Sequence, residues 1–197
     1  YVTVSVLCYC RLMGPDDVTA ARLSEIMGGE VGTVESTRIG DGLVGLNLRV
    51  RLLDAAPELP DSVVIKLPSV DETSRATGIA LRNYEREVKF YLQVADTVDI
   101  RVPECHFGEW DESTGDFTLV LEDMAPAEQG DQVTGCSVER AEAAVEELAL
   151  LHAPRWDDPT LHDIDWLGRR TSTAAVAGVA ALWSVCHGPF LATYAKH

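Results

Sequence analysis

The feature that most constrains the fold of this chain is a Gly-x-Gly-x-x-Gly loop, whose glycines are Gly40, Gly42 and Gly45. The residues after the loop alternate between apolar and polar, which predicts a β-strand with the apolar positions Leu46, Leu48, Val50 and Leu52. A dinucleotide-binding fold needs such a loop to open a helix, and the Gly-Lys-Ser/Thr of a Walker A loop does not follow. The pattern therefore indicates a strand–loop–strand unit, either an ordinary hairpin turn or a loop that approaches phosphates closely.

A single lysine interrupts the next apolar run. Ser62–Leu67 is a short β-branched segment bounded by Pro60 and Pro68, and it is apolar except for Lys66. The preceding residues 54–61 are rich in turn formers and predict a hairpin loop. Burying an ammonium group without an anionic partner is costly, so Lys66 either has such a partner or lies near the strand end and reaches water.

A helix with candidate carboxylate partners follows. Apolar residues recur at spacings of three and four and predict one helix over residues 81–95, with the stripe Leu81, Tyr84, Val88, Tyr91, Leu92 and Ala95. Glu85 and Glu87 flank this stripe on opposite sides, and periodicity does not choose between them as a partner for Lys66. Each can instead pair locally, as Glu85 can with Lys89 at i,i+4.

Several segments in order resemble one superfamily. The run LPDSVVIKLP at 59–68 and the run NYEREVKFY at 83–91 are similar to the ecdysteroid-kinase-like and aminoglycoside-phosphotransferase-like (CHK kinase-like) proteins. Further similar segments follow at 100–105, 117–124, 130–136 and 148–156. The resemblance covers roughly residues 16–197.

This resemblance implies an α+β, protein-kinase-like fold, with an antiparallel five-stranded N-lobe, one packed helix and the first helices of a helical C-lobe. It implies that Lys66 contacts the α- and β-phosphates of ATP and pairs with Glu87. The phosphates would be covered by Gly40, Gly42 and Gly45. Adenine would bind main-chain groups of the hinge between the lobes, formed by Leu121, Glu122, Asp123 and Met124.

One part of the family pattern is missing. Members carry a His-Gly-Asp-x-x-x-x-Asn catalytic loop and a later Asp-x-Asp-type metal site, and this sequence has neither. Its His187-Gly188 pair is followed by Pro189 rather than by aspartate. We therefore expect the catalytic aspartate and the Mg²⁺ ligands beyond His197, which makes the chain an N-terminal fragment without catalytic or metal-binding residues of its own.

The predicted organisation has four parts. Residues 1–12 are expected to be a non-native or disordered leader, 13–121 the N-lobe, 122–136 the hinge and linker, and 137–197 the incomplete C-lobe. Ser137 is the predicted N-cap of the first C-lobe helix. We expect the missing half to leave an apolar face uncovered at Leu148, Leu151, Trp166 and Trp183.

The charge and the cysteine content limit which classes of partner and which cellular compartment are compatible with the sequence. The net charge is −16, with 16 basic against 32 acidic residues, which argues against a nucleic-acid partner. The five cysteines form no Cys-x-x-Cys pair and are odd in number, which favours a reducing cytoplasm. The apolar run 174–186 is shorter than the ~20 residues of a membrane span, so we expect no membrane partner.

The sequence thus predicts an ATP-dependent small-molecule kinase that uses Mg²⁺ and phosphorylates a hydroxyl of a small alcohol. The alternative is a non-catalytic, pseudokinase-like module that binds nucleotide without transferring phosphate. The residues that select the alcohol are expected in the missing part, so the sequence does not identify the substrate.

Overall fold

The computed structural model describes residues 12–40, 44–131, 133–168 and 173–195. The chain divides into two compact units, Tyr1–Asp157 and Asp158–His197. Most of the predicted leader, residues 1–11, lies outside the described residues. The strands are β1 (Thr33–Arg38), β2 (Gly45–Leu53), β3 (Ser62–Pro68), β4 (Cys105–Trp110) and β5 (Phe117–Glu122). The helices are α1 (Ala20–Met27), α2 (Glu72–Ala80), α3 (Asn83–Gln93), α4 (Val138–His152) and α5 (Thr173–Tyr194).

The first unit is an α+β structure built on one five-stranded antiparallel sheet, as predicted. The strand order is β1-β2-β3-β5-β4, and every neighbouring pair is antiparallel. β3 therefore lies at the centre, and the Cα of Lys66 is opposite those of Asn47 on β2 and Leu119 on β5. The predicted strand–loop–strand start and the hairpin between β2 and β3 are both confirmed.

Alternation along the strands gives the sheet two apolar faces. On one face, Leu23 of α1 packs in a buried cluster with residues that include Val50, Val63, Ile65 and Val120. On the other face, α3 supplies Tyr84 and Val88 to a cluster with Phe117, Leu119 and Leu121. Successive residues point to opposite faces, so Lys66, which follows Ile65, projects on the α3 side.

The prediction of one continuous helix over residues 81–95 is wrong at its start. Arg82 has a left-handed backbone with φ 55°, so α2 ends before it and α3 begins after it. Leu81, which precedes the break, is 55% exposed, and Leu92 within α3 is also outside the core at 56% exposure. The inner positions Tyr84 and Val88 are buried as predicted.

α4 begins where the sequence indicated. The hydroxyl of Ser137 accepts the Arg140 N–H, which makes Ser137 the N-cap. None of the residues of α4 is buried, and Leu148 is 46% exposed, in agreement with the expected uncovered face.

The second unit contains α5 and short 3-10 turns. Trp183 is 63% exposed, as expected, whereas Trp166 is buried, so the expectation that both would be uncovered is wrong for Trp166. The apolar helix runs past Cys186, and its stretch Val176–Tyr194 is long and apolar enough to cross a membrane, with a hydropathy of 1.4. Helices of this length and composition occur both in membranes and in protein cores, so the absence of a membrane partner stays a prediction.

Thr19 caps α1 and supplies a prediction about stability. Its hydroxyl accepts the Arg22 N–H at 3.3 Å. We expect Thr19→Ala to lower the free energy of unfolding by about 1 kcal/mol, because it leaves a donor of the first helical turn without its acceptor. Urea denaturation measures this change. Thr19→Ser keeps the acceptor and should lose less than half as much, so an equal loss in both variants would contradict the capping role.

Candidate functional site

The candidate site is a cleft on the α3 side of the sheet, with a cavity of about 410 Å³. Its floor is formed by the inner residues of β2 and β3, and one wall continues from the end of β5 into the following segment. Among the lining residues are Gly40, Asn47, Arg49, Lys66, Tyr91 and the run Leu121, Glu122, Asp123 and Met124. The cleft thus brings together Gly40, Lys66 and the predicted hinge residues.

Lys66 and Glu87 form an ion pair beside this cleft. The Lys66 Nζ donates to Glu87 Oε1, and the side chains are 28% and 33% exposed. Lys66 is held by the central strand and Glu87 by α3, so both partners are fixed by regular structure. The predicted approach of these two side chains is confirmed, and Lys66 does not point to open solvent.

Glu85 has a different role from Glu87. Its side chain is 6% exposed and lies 2.6 Å from Arg82 and 2.7 Å from Lys89. Hydrogen bonds from Arg82 and then Lys89 outweigh the effect of burial and lower the pKa of Glu85 to about 2. The predicted local pairing of Glu85 with Lys89 is confirmed, and Glu87 is the partner of Lys66.

The glycine loop borders the cleft through Gly40. This residue has φ +65°, a left-handed conformation that glycine adopts without steric cost. Gly45 begins β2, and a Cβ there would lie 3.3 Å from the Leu67 carbonyl oxygen, so the two strands approach closely at this point. Gly42 lies outside the described residues.

The predicted hinge residues differ in what their side chains do. Leu121 is buried, and Met124 lines the cleft at 38% exposure. Glu122 is paired with Arg101 at 2.6 Å and also accepts the Glu104 N–H. The Glu122 carboxylate is therefore fixed to the segment that leads into β4.

Asp123 anchors the segment after β5 to the sheet. Its side chain is 4% exposed, and it accepts hydrogen bonds from Ser62 Oγ at 2.7 Å and Arg49 Nη2 at 3.0 Å. The Arg49 Nε also lies 2.7 Å from the carboxylate, without the alignment of a hydrogen bond. Burial alone would raise the pKa of Asp123, but the bonds from Ser62 and Arg49 outweigh it and hold the pKa below its ordinary value.

Among the cleft residues that the sequence did not predict are Asn47, Arg49 and Tyr91. Asn47 and Arg49 occupy alternate positions of β2, and the polar half of that alternating pattern was the available signal. Burial, and then the charge of Glu87, raises the pKa of Tyr91 to about 12. Its hydroxyl is therefore a neutral donor at physiological pH.

The cleft brings together cationic, anionic and main-chain groups. It presents Lys66 paired with a carboxylate, Gly40 with an exposed backbone, and the carboxylates of Glu122 and Asp123, which are paired with arginines. Within the described part of the chain, no group of three or more His, Cys, Asp or Glu side chains could hold a metal ion.

Comparisons of the chain with protein-family models, with curated proteins and with solved structures find no significant match.

Proposed function

We propose that this chain provides the ATP-binding lobe of a kinase-like small-molecule phosphotransferase, which transfers the γ-phosphoryl group of ATP to a hydroxyl of a small alcohol. The observation that carries the proposal is the Lys66–Glu87 pair, which joins the central strand to α3 beside a cleft bordered by Gly40 and the hinge. A carboxylate that fixes a lysine amine beside a concave surface is suited to holding a phosphate group.

The phosphates and the base have separate places in this proposal. The phosphates lie between Lys66 and the glycine loop, and the adenine lies against the hinge. Glu122 already donates its N–H to the Glu104 carbonyl at 2.8 Å, and the Met124 carbonyl already accepts the Ala127 N–H at 2.9 Å. The adenine is therefore assigned to the main-chain groups of Asp123 and to the N–H of Met124. The side-chain bonds of Asp123 to Arg49 and Ser62 hold that backbone in place.

Mg²⁺, when bound, would neutralise charge on the β- and γ-phosphates. The role proposed for the cleft residues of this chain is to bind and orient the nucleotide.

The proposal is tested by measuring ATP binding to the full chain by equilibrium dialysis, with Glu87→Gln and Glu85→Gln as a matched pair. Both variants remove one carboxylate charge from the same helix, but only Glu87 contacts Lys66. We expect Glu87→Gln to weaken ATP binding by roughly three- to tenfold, because Lys66 loses a charge-assisted hydrogen bond that orients it. Glu85→Gln should leave the affinity unchanged.

Two outcomes would decide against the proposal. Failure of the wild-type chain to bind ATP would contradict the proposed nucleotide site. Equal weakening by Glu87→Gln and Glu85→Gln shows that the effect comes from a loosened α3 rather than from Lys66. ATP binding without phosphoryl transfer by the longest natural form of the protein, across a panel of small alcohols, would instead favour the non-catalytic alternative.

A further inference from the structure

The hydroxyl of Tyr84 joins two strand ends next to the glycine loop. Tyr84 lies in the first turn of α3 and is 2% exposed. Its hydroxyl donates to the Val44 carbonyl and accepts the Ser69 N–H at 3.3 Å. Val44 directly precedes Gly45, Ser69 directly follows Pro68, and the Cα atoms of Gly45 and Pro68 are opposite each other in the sheet. One hydroxyl therefore bridges the start of β2 and the end of β3.

The ring of Tyr84 is fixed on two sides. It stacks on Phe117 with a centroid distance of 4.6 Å. On the α2 side, a Cβ at Gly78 would lie only 2.5 Å from the Tyr84 Cζ, so the absence of a side chain at Gly78 makes room for the ring. Burial raises the pKa of Tyr84, which keeps the hydroxyl protonated and able to donate.

The same helix carries the carboxylate of the candidate site. Glu87 follows Tyr84 by three residues, which is less than one turn of α3, and Ser69 follows Lys66 by three residues. The hydroxyl of Tyr84 thus connects the segment next to the glycine loop with both elements that hold the ion pair. A displacement of α3 would move Glu87 and the anchor of the loop together.

We propose that Tyr84 is a positioning residue, which holds the start of β2 and the end of β3 against α3 and thereby sets the Lys66–Glu87 pair in the geometry that binds the phosphates of ATP. This inference rests on the proposed nucleotide site and adds a residue that does not itself contact the nucleotide. Because the Lys66–Glu87 pair is assigned to the phosphates, the hydroxyl affects the binding of ATP and leaves the binding of adenosine unchanged.

The test is Tyr84→Phe in the full chain, which removes the hydroxyl and keeps the ring on Phe117. We expect its affinity for ATP to fall by about three- to tenfold and its affinity for adenosine to stay the same. The matched control is Thr118→Val, which removes another buried hydroxyl, the one that accepts the Met13 N–H at 2.9 Å on the α1 side of the sheet. It should change neither affinity.

Hydrogen exchange gives a second readout that does not depend on nucleotide. In Tyr84→Phe the Ser69 amide loses its acceptor and should exchange faster than in the wild type and in Thr118→Val, together with the amides of residues 44–45. Unchanged exchange at these amides would overturn the proposal even if the variant were too unstable for binding measurements.

The binding results separate the two proposals. If the wild type binds ATP and Tyr84→Phe binds it equally well, the positioning role is overturned and the nucleotide site stands. An equal loss of ATP and adenosine affinity would show that Tyr84 serves only the fold, which also overturns the positioning role. A wild type that binds no ATP overturns both.

Discussion

Replacing Lys66 by methionine is expected to weaken ATP binding by roughly 10- to 100-fold, the largest effect of any single change in the candidate site. Methionine keeps much of the length of the lysine side chain but removes the charge that we propose binds the phosphates. It also leaves the Glu87 carboxylate without its cation, and that carboxylate would then repel the phosphates. Equilibrium dialysis with ATP measures the loss.

The double variant Lys66→Met/Glu87→Gln tests this prediction more specifically. In the wild type, Glu87→Gln should weaken ATP binding, because the carboxylate orients Lys66. In the Lys66→Met background the same change should strengthen binding, because the remaining carboxylate is then only repulsive. This reversal of sign is specific to a lysine and a carboxylate that share one anion site.

Lys89→Met is the matched control for the lysine. Lys89 also pairs with a glutamate of α3, but its Nζ lies 4.8 Å from the centroid of the Trp110 ring, and it is not among the residues that line the cleft. We expect Lys89→Met to leave ATP affinity unchanged. A similar loss in Lys66→Met and Lys89→Met, or no reversal in the double variant, would contradict the assignment of Lys66 to the phosphates.

The sheet could be predicted because the sequence patterns that indicate its strands are local. Alternating apolar residues marked β2, and this strand pattern directly after the glycines excluded a crossover helix. The turn-forming residues at 54–61 predicted the hairpin that leads into β3. The single lysine of that strand was recognisable because its neighbours are apolar. In each case the information lies within about ten residues of the feature it predicts.

The features that the sequence did not reveal depend on contacts between distant segments. The hinge carboxylate of Asp123 is held by Ser62 and Arg49, which lie 61 and 74 residues away in the chain. Nothing in the local pattern around Asp123 distinguishes this role from that of a solvated aspartate. Which of Glu85 and Glu87 pairs with Lys66 likewise depended on where β3 lies relative to α3. Helical periodicity carries no information about that position.

The break between α2 and α3 was missed for a different reason, because the contact that accompanies it is local. Arg82 adopts a left-handed conformation that arginine rarely takes, while its guanidinium forms two hydrogen bonds to the Glu85 carboxylate. The intrinsic preference of the sequence is for helix through this point, and a specific ion pair accompanies the turn that interrupts it.

That ion pair should make the stability of the protein depend on pH in the acid range. The folded pKa of Glu85 is about 2, against an ordinary value of 4.5. A lowered folded pKa contributes stability that is fully present above about pH 4.5 and is lost as the pH falls toward 2. We expect a loss of about 1–3 kcal/mol over this window, the upper end being reduced because the Arg82 side chain is 43% exposed.

The measurement is urea denaturation between pH 2.5 and pH 6 for the wild type and Glu85→Gln, because glutamine cannot titrate and should flatten this part of the profile. The matched control is Glu35→Gln, which removes a glutamate paired with Arg51 at 59% exposure and should leave the profile nearly unchanged. If Glu85→Gln shows the same acid dependence as the wild type, other carboxylates cause the loss. If both variants flatten the profile equally, net charge rather than the buried pair of α3 governs stability in acid.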